Sequence, residues 1–357
     1  MKPGDFSHGG DVYTPKYEEG RDLLDFSSNI SPLGLPPGVL RGIVDAAAAF
    51  GIYPDPQCRE LRAALERRHG VGADRIVCGN GAADLIYRIV GFFKPKKALI
   101  TAPTFSEYEK ALTEGGALVE RFPLDYPDFA ISERILPRIN AGTGILFLCN
   151  PNNPTGNLIP RDLWEGILRR CAGTGTILVS DECFNDFLDD PRAHSSVRFL
   201  EGAAQLIILR AFTKLYAMAG LRLGYALFGS AERARGVAGT GQPWSVSTAA
   251  QVAGLRALEE AAYVEEVRSL VRRERPLMKA ALASLGLEVL GGEANYLFFR
   301  LPGGAGAGAA FFRALRDRGI LIRSCANYPG LDDSFYRIAI RRPRENRRLL
   351  AAIGEIV

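Results

Sequence analysis

The chain has 357 residues, 47% of them hydrophobic and 24% charged, a balance typical of a globular protein with one large core and room for a smaller one. No apolar run approaches the roughly 18 residues that span a bilayer, and the first residues, MKPGDFSHGGD, lack the apolar core of a signal peptide, so we expect a cytoplasmic protein without a membrane partner. The formal charge of +4 does not predict a nucleic-acid partner, and six scattered cysteines without a CxxC pair predict neither a metal site nor a disulfide framework.

Six short apolar runs dominate the middle of the chain. A polar N-terminal arm and two helical segments, PPGVLRGIVDAAAAF and QCRELRAALERRHG, come first. The apolar runs then alternate with mostly helical patterns from about residue 75, and they are RIVCGN, KALITAP, GILFLCN, TILVSDE, LIILRAF and GYALFG. This alternation predicts parallel β-strands joined by crossover helices.

The last hundred residues have a different pattern. Further helices are followed by the strand NYLFFRL, a helix at about 307–319, two strand-like runs between 320 and 341, and a final helix. The short basic run RRPRENRR before that helix carries its own glutamate and is interpreted as a solvated helix face. We expect this part and the N-terminal arm to form a second lobe over the strand ends.

The residues that follow five of the apolar runs are polar and chemically specific. In open α/β sheets, ligands bind outside the carboxyl ends of the strands. The segments found there are GNGAADL, TFSEY, NPNNPTG, DE and Thr213-Lys214. The sequence therefore predicts one crevice lined by glycine, amide, aromatic, carboxylate and amine groups.

Two of these residues have reactive or charged side chains after buried strands. Lys214 follows such a strand, and an amine that is poorly hydrated has a lowered pKa and can form a Schiff base with an aldehyde. Asp181 ends another strand, where a carboxylate needs a cation or hydrogen-bond donors. Taken singly, Lys214 is better explained as a solvated loop lysine, and a helix cap or a salt bridge explains Asp181 at least as well as a ligand does.

Three further segments suit a phosphorylated aromatic ligand. The amides of Gly81, Ala82 and Ala83 begin a helix after a strand and can hold a phosphate, although a tight turn alone would also explain the glycine. Asn153 can donate to a phenolate oxygen from beside a rigid Pro-Thr-Gly turn. Phe105 either lies flat on an aromatic ring or belongs to the core.

The ordered motifs GNGAADL, NNPTG, SDECF and TKx7RxG resemble those of the fold-type I pyridoxal-phosphate (PLP) enzymes, in the aminotransferase class I/II branch near histidinol-phosphate aminotransferase. The resemblance covers nearly the whole chain. It implies PLP as cofactor and an α/β fold, with a mostly parallel seven-stranded sheet in a large domain and a smaller α+β domain. The implied division is an arm with part of the small domain at 1–45, a PLP-binding domain at 46–260 and a C-terminal small domain at 261–357.

The resemblance also implies roles for individual residues. Lys214 resembles the lysine that holds the cofactor covalently, and Asp181 the partner of the pyridine nitrogen. Asn153 resembles the donor to the ring oxygen and Phe105 the stacking ring. The residues implied to hold the cofactor phosphate are Gly81, Ala82, Ala83, Thr213 and Arg222. Tyr53 resembles a tyrosine that reaches the cofactor phosphate of a neighbouring subunit, which implies a homodimer.

Two positions depart from the aminotransferase pattern. Ala211 stands three residues before Lys214, where a serine or threonine usually contacts the phosphate. Phe184 stands three residues after Asp181, where a tyrosine hydroxyl usually reaches the ring oxygen. The second departure weakens the interpretation as a simple aminotransferase.

Motifs at both ends of the chain resemble the threonine-phosphate decarboxylase family of cobalamin side-chain synthesis; they are HGGD, DFSSNISPLG, PWSV, ANYLFFR and LIRSCANYPGLDDSFYRIAIR. By this resemblance Arg337 binds the substrate α-carboxylate. The residues implied to surround the substrate are His8, Gly9, Asn29, Asn153 and Arg323, with His8, Asn29 and Arg323 at its phosphate. Without it, both arginines would be interpreted as solvated or as paired with Asp332 or Asp333, and a histidine so near a terminus as disordered.

The expected function is decarboxylation of a small phosphorylated amino acid, O-phospho-L-threonine, to (R)-1-aminopropan-2-ol O-phosphate. O-phospho-L-serine is an open alternative, because one methyl group is worth only about 1–3 kcal/mol in a pocket. Transamination of the histidinol-phosphate type is another, if the substrate carboxylate lies in the plane of the cofactor ring. A PLP-binding module of a transcriptional regulator is not expected, because no DNA-binding segment precedes the arm.

Overall fold

The computed structural model describes residues 8–357, and in this part of the chain the strands form sheets of seven, four and two strands. The strands are β1 Leu24–Asp25, β2 Ile76–Gly79, β3 Lys97–Ala102, β4 Leu118–Pro123, β5 Ile145–Cys149, β6 Ile177–Asp181, β7 Leu206–Ala211, β8 Gly224–Phe228, β9 Glu288–Gly291, β10 Tyr296–Arg300, β11 Ile320–Leu321, β12 Arg323–Ser324 and β13 Phe335–Ala339. The α-helices are α1 Tyr13–Glu19, α2 Pro37–Asp45, α3 Arg59–His69, α4 Ala82–Phe93, α5 Ser106–Glu114, α6 Arg161–Thr174, α7 Phe212–Leu215, α8 Ala231–Ala238, α9 Thr248–Glu259, α10 Ala261–Ser284, α11 Gly308–Asp317 and α12 Pro343–Gly354.

The seven-stranded sheet has the order β2-β8-β7-β6-β5-β3-β4, and it is mostly parallel, as predicted. One strand runs the other way: β8 is antiparallel to both β7 and β2. The chain between β7 and β8 contains only the four-residue helix α7 and a loop, without the longer crossover helix that usually joins parallel strands. The prediction of parallel strands is therefore wrong for GYALFG and right for the central four runs.

The central strands read as uninterrupted apolar runs because helices cover both faces of the sheet. Every residue of β5 and β6 is buried. Along β6, Leu178 packs into a core shared with Trp164 of α6, whereas Val179 packs into the core on the opposite face, which contains Leu85 of α4. The edge strand β4 was not predicted because its sequence LVERFP alternates and is largely exposed.

The second lobe is built around the four-stranded antiparallel sheet, in the order β12-β13-β10-β9. The predicted helix at 307–319 is α11. The first of the two strand-like runs is divided, because β11 pairs in parallel with β1 while β12 pairs with β13. The β1–β11 pair attaches the N-terminal arm to the C-terminal region. The domain boundaries at residues 45 and 260 remain a prediction.

The basic run near the C-terminus lies at the start of α12, and most of its arginines are exposed. No helix in the described range is long and apolar enough to cross a membrane. Residues 8–357 also contain no cluster of three or more histidine, cysteine, aspartate or glutamate side chains suited to a metal ion.

Candidate active site

Asp181 is a buried carboxylate held by neutral donors. Its Oδ2 atom accepts a 2.5 Å hydrogen bond from the Tyr108 hydroxyl, and Oδ1 accepts one of 3.0 Å from the backbone N–H of Cys183. Burial, with Asp181 beside it, raises the pKa of Tyr108 well above its ordinary value, so the hydroxyl stays a neutral donor. No basic side chain of residues 8–357 forms a salt bridge with Asp181. A protonated pyridine nitrogen fits a carboxylate in this state.

Lys214 lies in α7, immediately after β7, and its side chain reaches the same strand ends. Burial lowers the pKa of the Lys214 amine, and the positive charges of Arg337 and Arg222 lower it further against the opposing influence of Cys183 and Asp181. A larger fraction of the amine is therefore neutral near neutral pH, as attack on an aldehyde requires.

Phe184, the departure from the aminotransferase pattern, is part of the wall beside this lysine. Its ring centroid lies 5.7 Å from Lys214 Nζ. The ring also packs edge-on against Tyr296 at 5.0 Å, and the Tyr296 hydroxyl donates to the carbonyl oxygen of Asn152 at 2.7 Å. Phe184 therefore gives the wall beside Lys214 an apolar surface at the position where the aminotransferase pattern has a tyrosine hydroxyl.

A candidate phosphate site lies where α4 begins. Gly81 has φ +83°, and a Cβ atom added there would lie 2.8 Å from a guanidinium nitrogen of Arg222. A Cβ atom on Gly224 would lie 2.5 Å from the backbone nitrogen of Ala82. Gly224 is thus required for the close approach of β8 to the helix N-terminus, whereas at Gly81 it is the positive φ that favours glycine. The amides of Ala82 and Ala83 are in the first turn of α4, which has no intrahelical acceptor for them.

The other predicted cofactor residues are placed as follows. Thr213 is buried beside Lys214, and Ala211 ends β7 without a hydroxyl group, which leaves one expected phosphate contact unfilled. Phe105 precedes α5 and packs edge-on against Tyr108 at 5.5 Å. Buried Asp181, the α4 N-terminus with Arg222, and the low-pKa Lys214 together supply what the ring nitrogen, phosphate and aldehyde of PLP require.

Arg337 and Arg323 are paired directly opposite each other across β12 and β13, so their side chains leave the same face of the sheet. Buried Arg337 donates to Oδ1 of Asn153 and, at 2.7 Å, to the carbonyl oxygen of Ser27. Its Nε atom is buried and has no partner among the described residues.

The surroundings of Arg323 differ from those of Arg337. Its guanidinium carbon lies 5.3 Å from the centroid of the Tyr328 ring, and one nitrogen donates to Oδ1 of Asn327 at 2.8 Å. Asp332 and Asp333, the salt-bridge partners considered from the sequence, are used elsewhere. Asp332 accepts from Ser334, and Asp333 accepts from the backbone of Gly306.

Arg323, His8 and Gly9 line one cavity of about 460 Å³ between the arm and the second lobe. Gly9 packs so closely on Ser27 that an added Cβ would lie 2.2 Å from its carbonyl oxygen. Asn29 lies on the same arm, is buried, and has no partner in the described range for either polar atom of its amide. An amide in this condition needs a ligand or water as partner.

Tyr53 is a predicted site residue that lies on the surface of its own chain. Its side chain is 77% exposed and stacks on Trp244 with the ring centroids 4.6 Å apart. Its role at a neighbouring subunit remains a prediction.

Sequence reasoning missed Tyr108, Glu107 and Tyr87. Tyr108 lies three positions after Phe105, so helical spacing beside the predicted stacking residue was the one available signal. The Asn153–Arg337 contact was also missed, because 184 residues separate the two side chains.

The chain is similar to known proteins over most of its length. A family model described as aminotransferase class I and II matches residues 21–353. The chain is 38% identical to a threonine-phosphate decarboxylase of Salmonella typhimurium, over 98% of this chain and 96% of the relative. It is 35% identical to a histidinol-phosphate aminotransferase of Desulfitobacterium hafniense, over 94% of this chain and 92% of the relative.

A solved structure is similar over almost its full length. It is the histidinol-phosphate aminotransferase of Sinorhizobium meliloti in complex with pyridoxal-5'-phosphate, with a TM-score of 0.88, 25% identity, and coverage of 97% of this chain and 94% of that one. The chain therefore belongs to the aminotransferase class I and II family of fold-type I enzymes, and its cofactor is pyridoxal 5'-phosphate.

Proposed function

We propose that the chain is a PLP-dependent decarboxylase that converts O-phospho-L-threonine to (R)-1-aminopropan-2-ol O-phosphate, for use in cobalamin synthesis. The observation that carries the proposal is the placement of Arg337 and Arg323. They are opposite each other on neighbouring strands, yet Arg337 contacts Asn153 on the cofactor side, while Arg323 faces the cavity beside His8. Two fixed cations with separate surroundings suit a substrate with two anionic groups.

Binding both ends of the substrate would determine which bond at Cα breaks. PLP, when bound, supplies an electron sink for the pair released when a bond perpendicular to its ring is cleaved. Arg337 binds the α-carboxylate, and Arg323, His8 and Asn29 bind the phosphate. With both ends held, rotation about the Cα–N bond would be fixed, and the Cα–carboxylate bond would be the one presented for cleavage.

Two residues of this chain, Asp181 and Lys214, would hold or donate protons during the reaction. Asp181, held by Tyr108, keeps a proton on the ring nitrogen and so strengthens the electron sink. Cleavage of the Cα–carboxylate bond would release carbon dioxide and leave the electron pair at Cα, where the bound cofactor would take it up. Lys214 in its protonated form would then donate a proton to Cα and be left as the neutral amine, the form that its lowered pKa favours.

The second candidate is a phosphate-substrate aminotransferase, supported by the similarity to the histidinol-phosphate enzymes. Phe184 argues against it, because the wall beside Lys214 is apolar where aminotransferases usually carry a tyrosine hydroxyl. Within the decarboxylases, O-phospho-L-serine remains a candidate substrate.

We also propose a homodimer in which Tyr53 of one protomer reaches the cofactor phosphate of the other. The exposure of Tyr53 supports this, as do other exposed apolar residues nearby in the sequence, namely Leu40, Val44, Phe50 and Ile52.

The test is product identification. PLP-loaded protein is incubated separately with O-phospho-L-threonine and O-phospho-L-serine, each with 2-oxoglutarate as amino acceptor, and the products are followed by ³¹P NMR and mass spectrometry. The proposal predicts 1-aminopropan-2-ol O-phosphate, formed with higher kcat/KM than ethanolamine phosphate. A phosphorylated 2-oxo acid as the only product would identify an aminotransferase instead.

A further inference from the structure

Glu107 connects the N-terminal arm to two helices of the large sheet. Its Oε1 atom lies 2.8 Å from His8 Nε2, and its Oε2 atom accepts a 2.8 Å hydrogen bond from the Tyr87 hydroxyl of α4. The carboxylate is largely buried, with 14% of its side chain exposed. One carboxylate oxygen of Glu107 therefore contacts the arm, and the other contacts α4.

His8 is placed between the predicted ring-stacking residue and the substrate cavity. Its ring centroid lies 5.7 Å from that of Phe105, and the same side chain lines the cavity with Arg323. Glu107 occupies Nε2, so Nδ1 is the ring nitrogen left for a ligand, since no described residue bonds to it. The arm next to His8 is held at Gly10, whose amide donates to Ser27 Oγ at 2.7 Å.

Beside this contact, acidic side chains come from the arm and basic side chains come from the second lobe. The same cavity contains Asp11, Glu18 and Glu19 from the arm and Arg316 and Arg323 from the second lobe, with Glu19 paired to Arg316. The hydrogen bond from His8 is the largest cause of the lowered pKa of Glu107, ahead of burial, which opposes it, and the bond from Tyr87. Glu107 also lies in the first turn of α5, where the helix dipole favours a carboxylate.

We propose that Glu107 is a positioning residue of the substrate-phosphate pocket, which, anchored by Tyr87, fixes the His8 ring and closes residues 8–10 over the cavity. This inference rests on the proposed function for its link to phosphate, but the attachment of the arm stands on the contacts alone. Nothing in the sequence pattern assigned a role to Glu107 or Tyr87. Because Tyr87 and the helix α5 both hold the Glu107 side chain, its carboxylate gives His8 a hydrogen-bond partner in a fixed position.

The experiment combines arm mobility with a double-mutant cycle. Hydrogen exchange of the peptide that covers residues 8–12 is measured by mass spectrometry in the PLP-loaded wild type, Glu107→Ala, Glu107→Gln and Tyr87→Phe. KM and kcat for O-phospho-L-threonine are measured for the same proteins, for His8→Ala and for the Glu107→Ala/His8→Ala double variant. Glu114→Ala, an exposed glutamate on the same helix, is the matched control.

Glu107→Ala should speed exchange of the arm and raise KM about tenfold, with a much smaller change in kcat, because one charge-assisted hydrogen bond is lost. Glu107→Gln, which retains an acceptor, should recover part of the loss, Tyr87→Phe should show a weaker effect of the same kind, and Glu114→Ala should show none. In the His8→Ala background, removal of Glu107 should change KM less than about twofold.

Two results would overturn the inference. One is an arm that exchanges no faster in Glu107→Ala than in the wild type. The other is a loss on removal of Glu107 that is equally large with and without His8, since Glu107 would then act through the α4–α5 packing alone. If the wild type does not turn over phosphorylated amino acids, the proposed function fails, and the exchange data still decide whether Glu107 holds the arm.

Discussion

The replacement Arg323→Ala tests whether the two arginines have separate functions. The guanidinium of Arg323 is buried, is held by Asn327 and stacks on Tyr328, so it is already fixed in place before a ligand binds. A hydrogen bond between charged groups contributes about 1.5–3 kcal/mol, which corresponds to a roughly 10- to 150-fold loss in kcat/KM for O-phospho-L-threonine. Competition by unphosphorylated L-threonine should change less than about threefold, because it does not use this contact.

The assay compares kcat/KM for O-phospho-L-threonine with the inhibition constant of L-threonine in wild type, Arg323→Ala and Arg323→Lys. The lysine variant should recover only part of the loss, since an ammonium group lacks the forked geometry. Arg300→Ala is the control: Arg300 stacks on Tyr126 and Phe335 in the same lobe but does not line the cavity. Equal losses for the phosphorylated and unphosphorylated ligands in Arg323→Ala would refute the assignment of Arg323 to phosphate.

Three further predictions concern the cofactor, the fold and the dimer. Tyr108→Phe removes the donor to Asp181 and should lower kcat about tenfold with little change in KM; an unchanged kcat would contradict a role in holding Asp181. Burial, aided by the nearby charge of Arg210, lowers the pKa of His69 from 6.5 to about 3, so only the unfolded state gains its proton between these values. The free energy of unfolding should therefore decrease as pH falls below about 6.5, by at most about 1.4 kcal/mol per unit from this group, and His69→Gln should flatten denaturant-measured stability in that window. Lys214→Ala should abolish turnover and the visible absorption of bound cofactor. If subunits share sites, mixing Lys214→Ala with Tyr53→Ala should restore activity after the subunits exchange, and no recovery after exchange would contradict the role of Tyr53.

The strand ends could be predicted from the sequence because parallel strands covered on both faces give apolar runs whose ends share one edge. This places Asp181, Lys214, Asn153 and the α4 N-terminus correctly relative to the sheet. The edge strand β4 could not be found in this way, because an exposed strand lacks the apolar run.

The contacts between distant segments could not be predicted. The sequence showed Arg323 and Arg337 in two strand-like runs, but their direct opposition depends on how the chain from 325 to 334 folds between them. Glu107 and Tyr87 look like ordinary residues of amphipathic helices, and only tertiary packing joins them to the arm. The Asn153–Arg337 hydrogen bond likewise depends on the packing of the second lobe against the strand ends.

The most direct test of the central claim is the partition between two products. PLP-loaded protein is given O-phospho-L-threonine and excess 2-oxoglutarate, and carbon dioxide and glutamate are measured in the same reaction. Decarboxylation predicts carbon dioxide in equal amount to the substrate consumed, with little glutamate and no dependence on 2-oxoglutarate. Glutamate formation without carbon dioxide would contradict the assignment of Arg337 and Arg323 to a decarboxylase.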